Sequence, residues 1–131
     1  WDKSAGVVTA IKKHQPLALS AEIDQPLRVK QIVEKSERMI IDVRHRDFYD
    51  MGHIPGALSF PLQDFESDRE RLLKFIQKDA PVLVYCSGFD CDASHMYARH
   101  LAALGYTDVK VFPGGFGQWR EMGFEIQENE E

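Results

Sequence analysis

The run Pro81-Val82-Leu83-Val84-Tyr85 most constrains the fold, because an apolar, β-branched run of this length is typical of a strand buried on both faces. Three further runs of strand type occur at residues 39–43, 58–61 and 109–112. Helical patterns separate these runs, at residues 26–33, 46–51, 64–77, 93–104 and 116–122. Strands that alternate with helices predict right-handed βαβ units, so we expect an α/β fold with a parallel sheet.

Length and charge limit the possible classes of protein. The 131 residues suffice for one domain with a real core, and the 44% apolar share is that of a globular protein. Twenty-one acidic and 16 basic residues give a net charge of −5, with no Lys/Arg cluster to offset it. We therefore expect no nucleic-acid partner.

The two ends of the chain differ from its centre. Residues 1–24 lack a clean hydrophobic period and are interpreted as an N-terminal extension, and residues 127–131 as an acidic tail. The chain has no apolar run long enough to span a bilayer and no signal-peptide pattern near Trp1, so we expect a cytoplasmic protein. A first residue other than Met is also compatible with a domain excised from a longer or membrane-anchored protein.

Cys86 directly follows the central predicted strand, and a helix is expected to begin near Asp92. In an open parallel sheet, ligands bind beyond the carboxyl ends of the strands. Loop N–H groups and the positive end of a helix would both lower the pKa of a thiol at this position and make it a nucleophile. The alternative, structural interpretation is that Cys86 is only a small buried hydrophobic residue.

Several motifs, taken together, resemble the rhodanese-like domain family. They are Ile41-Asp42-Val43-Arg44, Asp47-Phe48, Gly52-His53-Ile54-Pro55-Gly56-Ala57, Val84-Tyr85-Cys86, Gly105-Tyr106 with residues 109–112, and Gly114-Gly115 with Trp119. The resemblance covers about residues 25–126, which we take as the domain. It implies a parallel sheet of about five strands with helices on both faces.

The resemblance also implies a function, that of a sulfurtransferase. Cys86 would carry sulfane sulfur as a persulfide, taken from a small-molecule or protein persulfide donor and passed to a thiol or other nucleophilic acceptor. The backbone N–H groups of the loop would bind the terminal sulfur, in the stretch Ser87, Gly88, Phe89, Asp90, Cys91 and Asp92. No metal and no organic cofactor is implied.

The loop departs from the usual family pattern. It is about two residues longer, it lacks the Arg or Lys often found before the helix, and it carries Asp90 and Asp92. Carboxylates near a thiolate oppose the lowering of its pKa and repel a dianion such as thiosulfate, so we expect a persulfide-type or protein-bound donor to be preferred. Asp92 is also expected to cap the following helix.

Cys91 has two interpretations that the sequence leaves open. It is either a loop residue packed under the helix or a resolving thiol that attacks a sulfur-loaded or oxidised Cys86 to form a reversible disulfide. A disulfide between cysteines this close would add little stability, so it would not serve as a staple. Zinc binding with His95 as a third ligand is poorly supported, because further ligands at motif spacing are missing.

The remaining motif residues have structural interpretations. We expect His53 to fix its loop by hydrogen bonds, Arg44 to pair with Asp47, Trp119 to lie in the core, and Phe89 to line the substrate mouth. Gly114-Gly115 is expected to let the chain pass close to the loop.

Two further function classes stay open. One is a non-catalytic or redox-sensing rhodanese-like binding module, since a fold alone does not fix function. The other is a phosphatase or arsenate reductase, which the missing loop Arg disfavours.

Overall fold

Helices and strands alternate along residues 21–129, the part of the chain that the computed structural model describes. In chain order the elements are α1 (Pro26–Glu34), β1 (Met39–Asp42), α2 (Arg46–Met51), β2 (Leu58–Ser59), α3 (Phe65–Phe75), β3 (Val82–Tyr85), α4 (Ala93–Ala103), β4 (Val109–Phe112) and α5 (Gly115–Glu121). A short 3-10 helix, Leu62–Asp64, precedes α3. Most of the predicted extension, residues 1–20, and the last two residues of the predicted acidic tail lie outside the described residues, and the proposed domain limits stay a prediction.

The sheet is parallel throughout, with the strand order β2-β1-β3-β4. Asp42 at the end of β1 lies opposite Tyr85 at the end of β3, and Tyr85 lies opposite Phe112 at the end of β4. The α/β class and the parallel sheet are therefore confirmed. The described residues form four strands rather than about five, and a single parallel bridge from Glu22 to Val111 extends the sheet beyond β4.

Helices cover both faces of the sheet, as expected. Ile41 and Val84 point towards α3 and α4, where they join one buried cluster. Their neighbours Ile40, Leu83 and Tyr85 point the other way, into a second buried cluster with α1 and α5. Because side chains alternate along a strand, a run that is apolar at every position is buried on both sides, which explains the unbroken apolar sequence of β3.

Two helices bury narrower faces than their sequences predict. In α1 the spacing of Leu27, Val29, Ile32 and Val33 predicts one apolar side, but Leu27 is exposed, and of the four only Val29 and Ile32 are fully buried. Phe75, at the end of α3, is also exposed. At this end of α3 the buried residues are Leu72 and Ile76, which are four residues apart and therefore lie on one side of the helix.

A buried ion pair ties the end of β1 to the following loop. Asp42 is fully buried and accepts hydrogen bonds from Arg44 Nε and Nη2, at 3.1 and 2.8 Å, while Nη2 also reaches the Gly52 carbonyl oxygen. The predicted pairing of Arg44 with Asp47 is wrong, because Asp47 is exposed and lies 3.8 Å from His45 instead. A buried guanidinium needs an anionic partner that is equally buried, and Asp42 at the end of β1 is that partner for Arg44.

Tyr85 completes this buried network. Its hydroxyl donates to Asp42 Oδ2 and accepts a hydrogen bond from the Ile54 N–H at 3.0 Å. Burial, and to a lesser degree the charge of Asp42, raise the pKa of Tyr85 well above its ordinary value, so the hydroxyl stays protonated and remains a donor.

The connection from α2 to β2 is held by hydrogen bonds, as expected for His53. Its Nδ1 lies 2.7 Å from the Tyr49 carbonyl oxygen, and its ring stacks on that of Tyr49. The backbone of His53 also exchanges two hydrogen bonds with Gln127, both of 2.9 Å. His53 is thus a structural residue in this fold.

We predict that Tyr85→Phe lowers the free energy of unfolding by about 1–3 kcal/mol, because it leaves the buried Ile54 N–H without its partner and removes one of the hydrogen bonds to Asp42. Tyr97→Phe is the matched control, since the buried Tyr97 hydroxyl makes no hydrogen bond within residues 21–129. Its loss should change stability by about 0.5 kcal/mol or less. Urea unfolding of the two variants measures both values, and equal losses would contradict the role given to the Tyr85 hydroxyl.

Candidate active site

The register of the sheet places Cys86 at its carboxyl edge. Asp42 and Tyr85 are paired as the last residues of β1 and β3, and the Val43 N–H donates to the Tyr85 carbonyl oxygen at 3.1 Å. Cys86 therefore lies beside Val43, just beyond the sheet, where ligands of parallel sheets bind. The residue is only 4% exposed and joins the buried cluster on the side of α3 and α4.

The start of α5 holds the loop that follows Cys86. The N–H groups of Phe116 and Gly117 donate to the carbonyl oxygens of Cys86 and Ser87 at 2.9 and 2.8 Å. Gly115 has a φ of +58°, and a Cβ built on it would lie 2.4 Å from the Cys86 carbonyl oxygen. The expectation that Gly114-Gly115 lets the chain pass close to the loop is confirmed.

We predict that Gly115→Ala costs at least about 3 kcal/mol, because it adds a backbone clash to a left-handed conformation. Gly123→Ala is the control, since Gly123 has a φ of +76° but no atom within 4 Å of the added Cβ. That variant should cost about 1 kcal/mol. Thermal or urea unfolding compares the two, and similar costs would show that the contact with Cys86 is not tight.

A tight turn brings Cys91 back to Cys86. The Cys91 N–H donates to the Gly88 carbonyl oxygen at 3.0 Å, with Phe89 and Asp90 at the corners of the turn. The two cysteines form a disulfide, with their Cα atoms 6.4 Å apart. Of the two interpretations left open for Cys91, the structure shows a residue bonded to Cys86 rather than one that is merely packed under α4.

In this disulfide-bonded state the loop N–H groups do not bind the sulfur of Cys86. The Cys91 N–H is used by the turn, and no loop N–H of the described chain donates to Cys86 Sγ. Binding of a terminal sulfur by the amides between Ser87 and Asp92 thus stays a prediction for the reduced loop. Asp92 is the N-cap residue of α4, as expected, but its side chain makes no capping hydrogen bond.

Two adjoining clefts open at this edge of the sheet. The first, here called the loop cleft, has a volume of about 320 Å³. It is lined by Val43, Arg44, His45, Phe48, Leu62, Gln63, Cys86, Ser87, Cys91 and Ala93. The second, the side cleft, has about 450 Å³. It is lined by Arg44, Phe48, Met51, Gly52, Ser87, Phe116, Gly117, Arg120, Ile126 and Glu128. Both cysteines line the loop cleft, so a small molecule can reach the disulfide.

Sequence reasoning missed the apolar wall that these clefts share. Phe48 lines both clefts and Met51 lines the side cleft, and the two side chains are 56% and 73% exposed. Both lie on α2, a helix that buries none of its residues. Two large apolar residues in so short and otherwise polar a helix were the feature of the sequence that could have indicated an apolar binding surface. Phe89 was expected at the mouth. It is exposed but lines neither cleft in the described structure.

The charges near the loop are unevenly distributed. Asp90 and Asp92 are exposed and pair with no cation among residues 21–129. Arg44 lines both clefts, but Asp42 already balances its charge. The loop side is therefore acidic, and Arg120 contributes the opposite charge in the side cleft.

His95, the other ligand considered for zinc, is engaged elsewhere. Its Nε2 lies 2.8 Å from a carboxylate oxygen of Glu22. Within residues 21–129 no group of three or more metal-ligating side chains is found. In the same part of the chain, no helix combines the length and the apolar character that a membrane span requires.

Comparison with known families identifies the class of protein. The rhodanese-like domain family matches residues 25–122, most of the chain. This protein therefore belongs to the rhodanese-like family, as its motifs predict.

Individual relatives agree with this assignment. The chain is 33% identical over 94 residues to thiosulfate sulfurtransferase GlpE of Coxiella burnetii, covering 72% of this chain and 82% of that protein. It is 33% identical over 101 residues to GlpE of Shewanella oneidensis, covering 72% and 91%. Among solved structures, the BH2092 protein of Bacillus halodurans superposes with a TM-score of 0.74 at 28% identity, over 92% of this chain and 85% of that one.

Proposed function

We propose that this protein is a sulfurtransferase that carries sulfane sulfur as a persulfide on Cys86. The observation that carries the proposal is the position of Cys86, which directly follows the inner strand β3 of a rhodanese-like sheet and lines an open cleft. Relatives that are thiosulfate sulfurtransferases support the same reaction class.

The proposed reaction proceeds in two displacements at sulfur. The Cys86 thiolate attacks the outer sulfur of a donor, R–S–S⁻, forms a new S–S bond and releases the thiolate R–S⁻. An acceptor thiolate then attacks the outer sulfur of the Cys86 persulfide, takes it, and returns Cys86 as a thiolate. Each step forms one S–S bond and breaks one, so neither an acid–base pair nor an organic cofactor is required.

The chain around Cys86 supports this chemistry by fixing the backbone. Hydrogen bonds from Phe116 and Gly117 hold the carbonyl groups of Cys86 and Ser87, which leaves the remaining loop N–H groups to reorganise around an anionic sulfur once the disulfide is reduced. The loop cleft supplies access for the donor, and the exposed Phe48 offers an apolar surface for its organic part.

The first prediction for this function concerns sulfur loading. Cys91→Ser, which cannot form the disulfide, should gain one sulfur, about 32 Da, after exposure to a sulfane donor and desalting. The double variant Cys86→Ser/Cys91→Ser should gain none, because it lacks the nucleophile. Intact mass spectrometry reads both results, and equal gain by the two proteins would refute the role of Cys86.

The second prediction concerns the donor. Asp90 and Asp92 are exposed residues of the loop, and their negative charges repel thiosulfate, a dianion. A persulfide or protein-bound donor should therefore be used more efficiently than thiosulfate. Asp90→Asn/Asp92→Asn should raise kcat/KM for thiosulfate about three- to ten-fold at low salt, and less at high salt.

The control for this prediction is a persulfide donor R–S–S⁻ that carries no other charge, a monoanion whose kcat/KM should change less in the same variant than that of the thiosulfate dianion. Steady-state rates at two ionic strengths provide the measurement. Thiosulfate as the preferred donor of the wild-type protein, or an unchanged thiosulfate rate in the variant, would contradict the electrostatic argument.

The Cys86–Cys91 disulfide favours a second candidate, a redox-sensing module without turnover. The loading experiment separates the two, because a module of that kind would form the disulfide but transfer no sulfur. Cytoplasmic location, a thiol acceptor and the absence of metal and cofactor stay predictions.

A further inference from the structure

We propose that Cys91 discharges the Cys86 persulfide within the chain, releasing sulfide and leaving the Cys86–Cys91 disulfide. The inference rests on the proposed sulfur-carrier role of Cys86 and adds to it an acceptor, a product and a requirement for an external reductant. It makes Cys91 a catalytic residue rather than a feature of the loop.

The fold of the loop carries the first step of the argument. Cys91 is five residues beyond Cys86, and it returns to Cys86 because its N–H closes a turn on the Gly88 carbonyl oxygen. The Cys86 end of the loop is fixed independently by the hydrogen bonds from Phe116 and Gly117. The backbone therefore presents the two sulfur atoms to each other, with a Cα separation of 6.4 Å.

A structural role is not the best explanation of this disulfide. Closing so short a loop restricts the unfolded chain less than closing a long one, and the effect on stability is about 2 kcal/mol, the low end for a disulfide. Both sulfur-bearing residues line the loop cleft, where small thiols can reach them. A short, reachable disulfide that includes the residue at the strand end fits a reaction step better than a staple.

The reaction balances without an external oxidant. The Cys91 thiolate attacks Sγ of Cys86, the inner sulfur of the protonated persulfide Cys86–S–SH, and forms the Sγ–Sγ bond. The bond between Cys86 Sγ and the outer sulfur breaks, and the outer sulfur leaves as HS⁻, with the electron pair of that bond and the proton that it already carries. The sulfane sulfur is thus reduced to sulfide while the two cysteines are oxidised to a disulfide.

The geometry selects the inner sulfur as the atom attacked. Cys91 Sγ is bonded to Cys86 Sγ in the structure, so the loop already accommodates the product of that attack. The outer sulfur of a persulfide would extend about 2 Å further. It would leave into the loop cleft, which the two cysteines line.

The same structure indicates how the protein is reset. Cys86 is 4% exposed, whereas Cys91 is half-buried and so is the more accessible sulfur. A low-molecular-weight thiol or a dithiol protein would therefore attack Cys91 and release Cys86 as a thiolate. A second thiol equivalent then frees Cys91, and the reductant leaves as its own disulfide.

The test is a single turnover without oxygen. Reduced wild type, Cys91→Ser and the surface control Phe75→Ala, an exposed residue of α3 outside the loop, are each mixed with one equivalent of an organic persulfide and no other thiol. Wild type and Phe75→Ala should release one sulfide per chain and end about 2 Da lighter than the reduced protein, as a disulfide. Cys91→Ser should keep the added sulfur and release sulfide at least about a hundred-fold more slowly, because it lacks the oriented intramolecular thiol.

The outcomes separate this inference from the sulfur-carrier function. Wild type that keeps its added sulfur as stably as Cys91→Ser would overturn the inference and leave the carrier function intact. Added sulfur mapped to Cys91 in digested wild type would also overturn it, since this means attack on the outer sulfur. Failure of Cys91→Ser to load any sulfur would refute the carrier function, and the inference with it.

Discussion

The contact between the start of α5 and the Cys86 carbonyl group is the constraint on which the site depends. Two α5 N–H groups bind the carbonyl oxygens of Cys86 and Ser87, and this approach is possible only because residue 115 has no side chain. These two N–H groups of α5 are therefore hydrogen-bonded to the loop and are not free to bind a ligand. The consequence is that the main chain of Cys86 is fixed from both sides, by β3 before it and by α5 beside it.

The second half of the loop is held differently. From Gly88 to Cys91 the chain is closed by one turn hydrogen bond and by the disulfide, and its corner residues Phe89 and Asp90 are exposed. Reduction removes the covalent link and leaves a single hydrogen bond across the turn. The loop thus has a fixed half that holds Cys86 and a less constrained half that carries Cys91, which is the arrangement that the proposed sulfur loading and the later closure of the disulfide require.

The parts of this structure that follow from local patterns were predictable from the sequence. The unbroken apolar run of β3 indicated a strand covered on both faces, and Gly114-Gly115 at the start of α5 indicated a close approach of the chain to the loop after Cys86. The parts that depend on three-dimensional partners were not. Arg44 is within reach of both Asp42 and Asp47 in sequence, and the burial of Asp42 decides between them.

The exposed apolar residues have the same explanation. Periodicity alone placed Leu27 and Phe75 inward, but the width of a buried helix face depends on how closely the sheet approaches it, which the pattern of one helix does not contain. The spacing of Cys86 and Cys91 likewise allowed a disulfide without requiring it, because the turn at Gly88 had first to bring the chain back.

The environment of Cys86 links the two halves of the proposed cycle. In thiol–disulfide exchange the better leaving group is the sulfur with the more stable thiolate. The proposed carrier role requires Cys86 to be that thiolate, which loop N–H groups and the start of α4 would favour once the reduced loop turns them towards Sγ. In the proposed cycle, an incoming thiol that attacks the more exposed Cys91 expels Cys86, which is the same species needed to accept the next sulfur. The stabilisation of the Cys86 thiolate that the proposal requires would therefore also give the reduction of the disulfide its direction, and the acidic loop residues would limit which anions compete for Cys86.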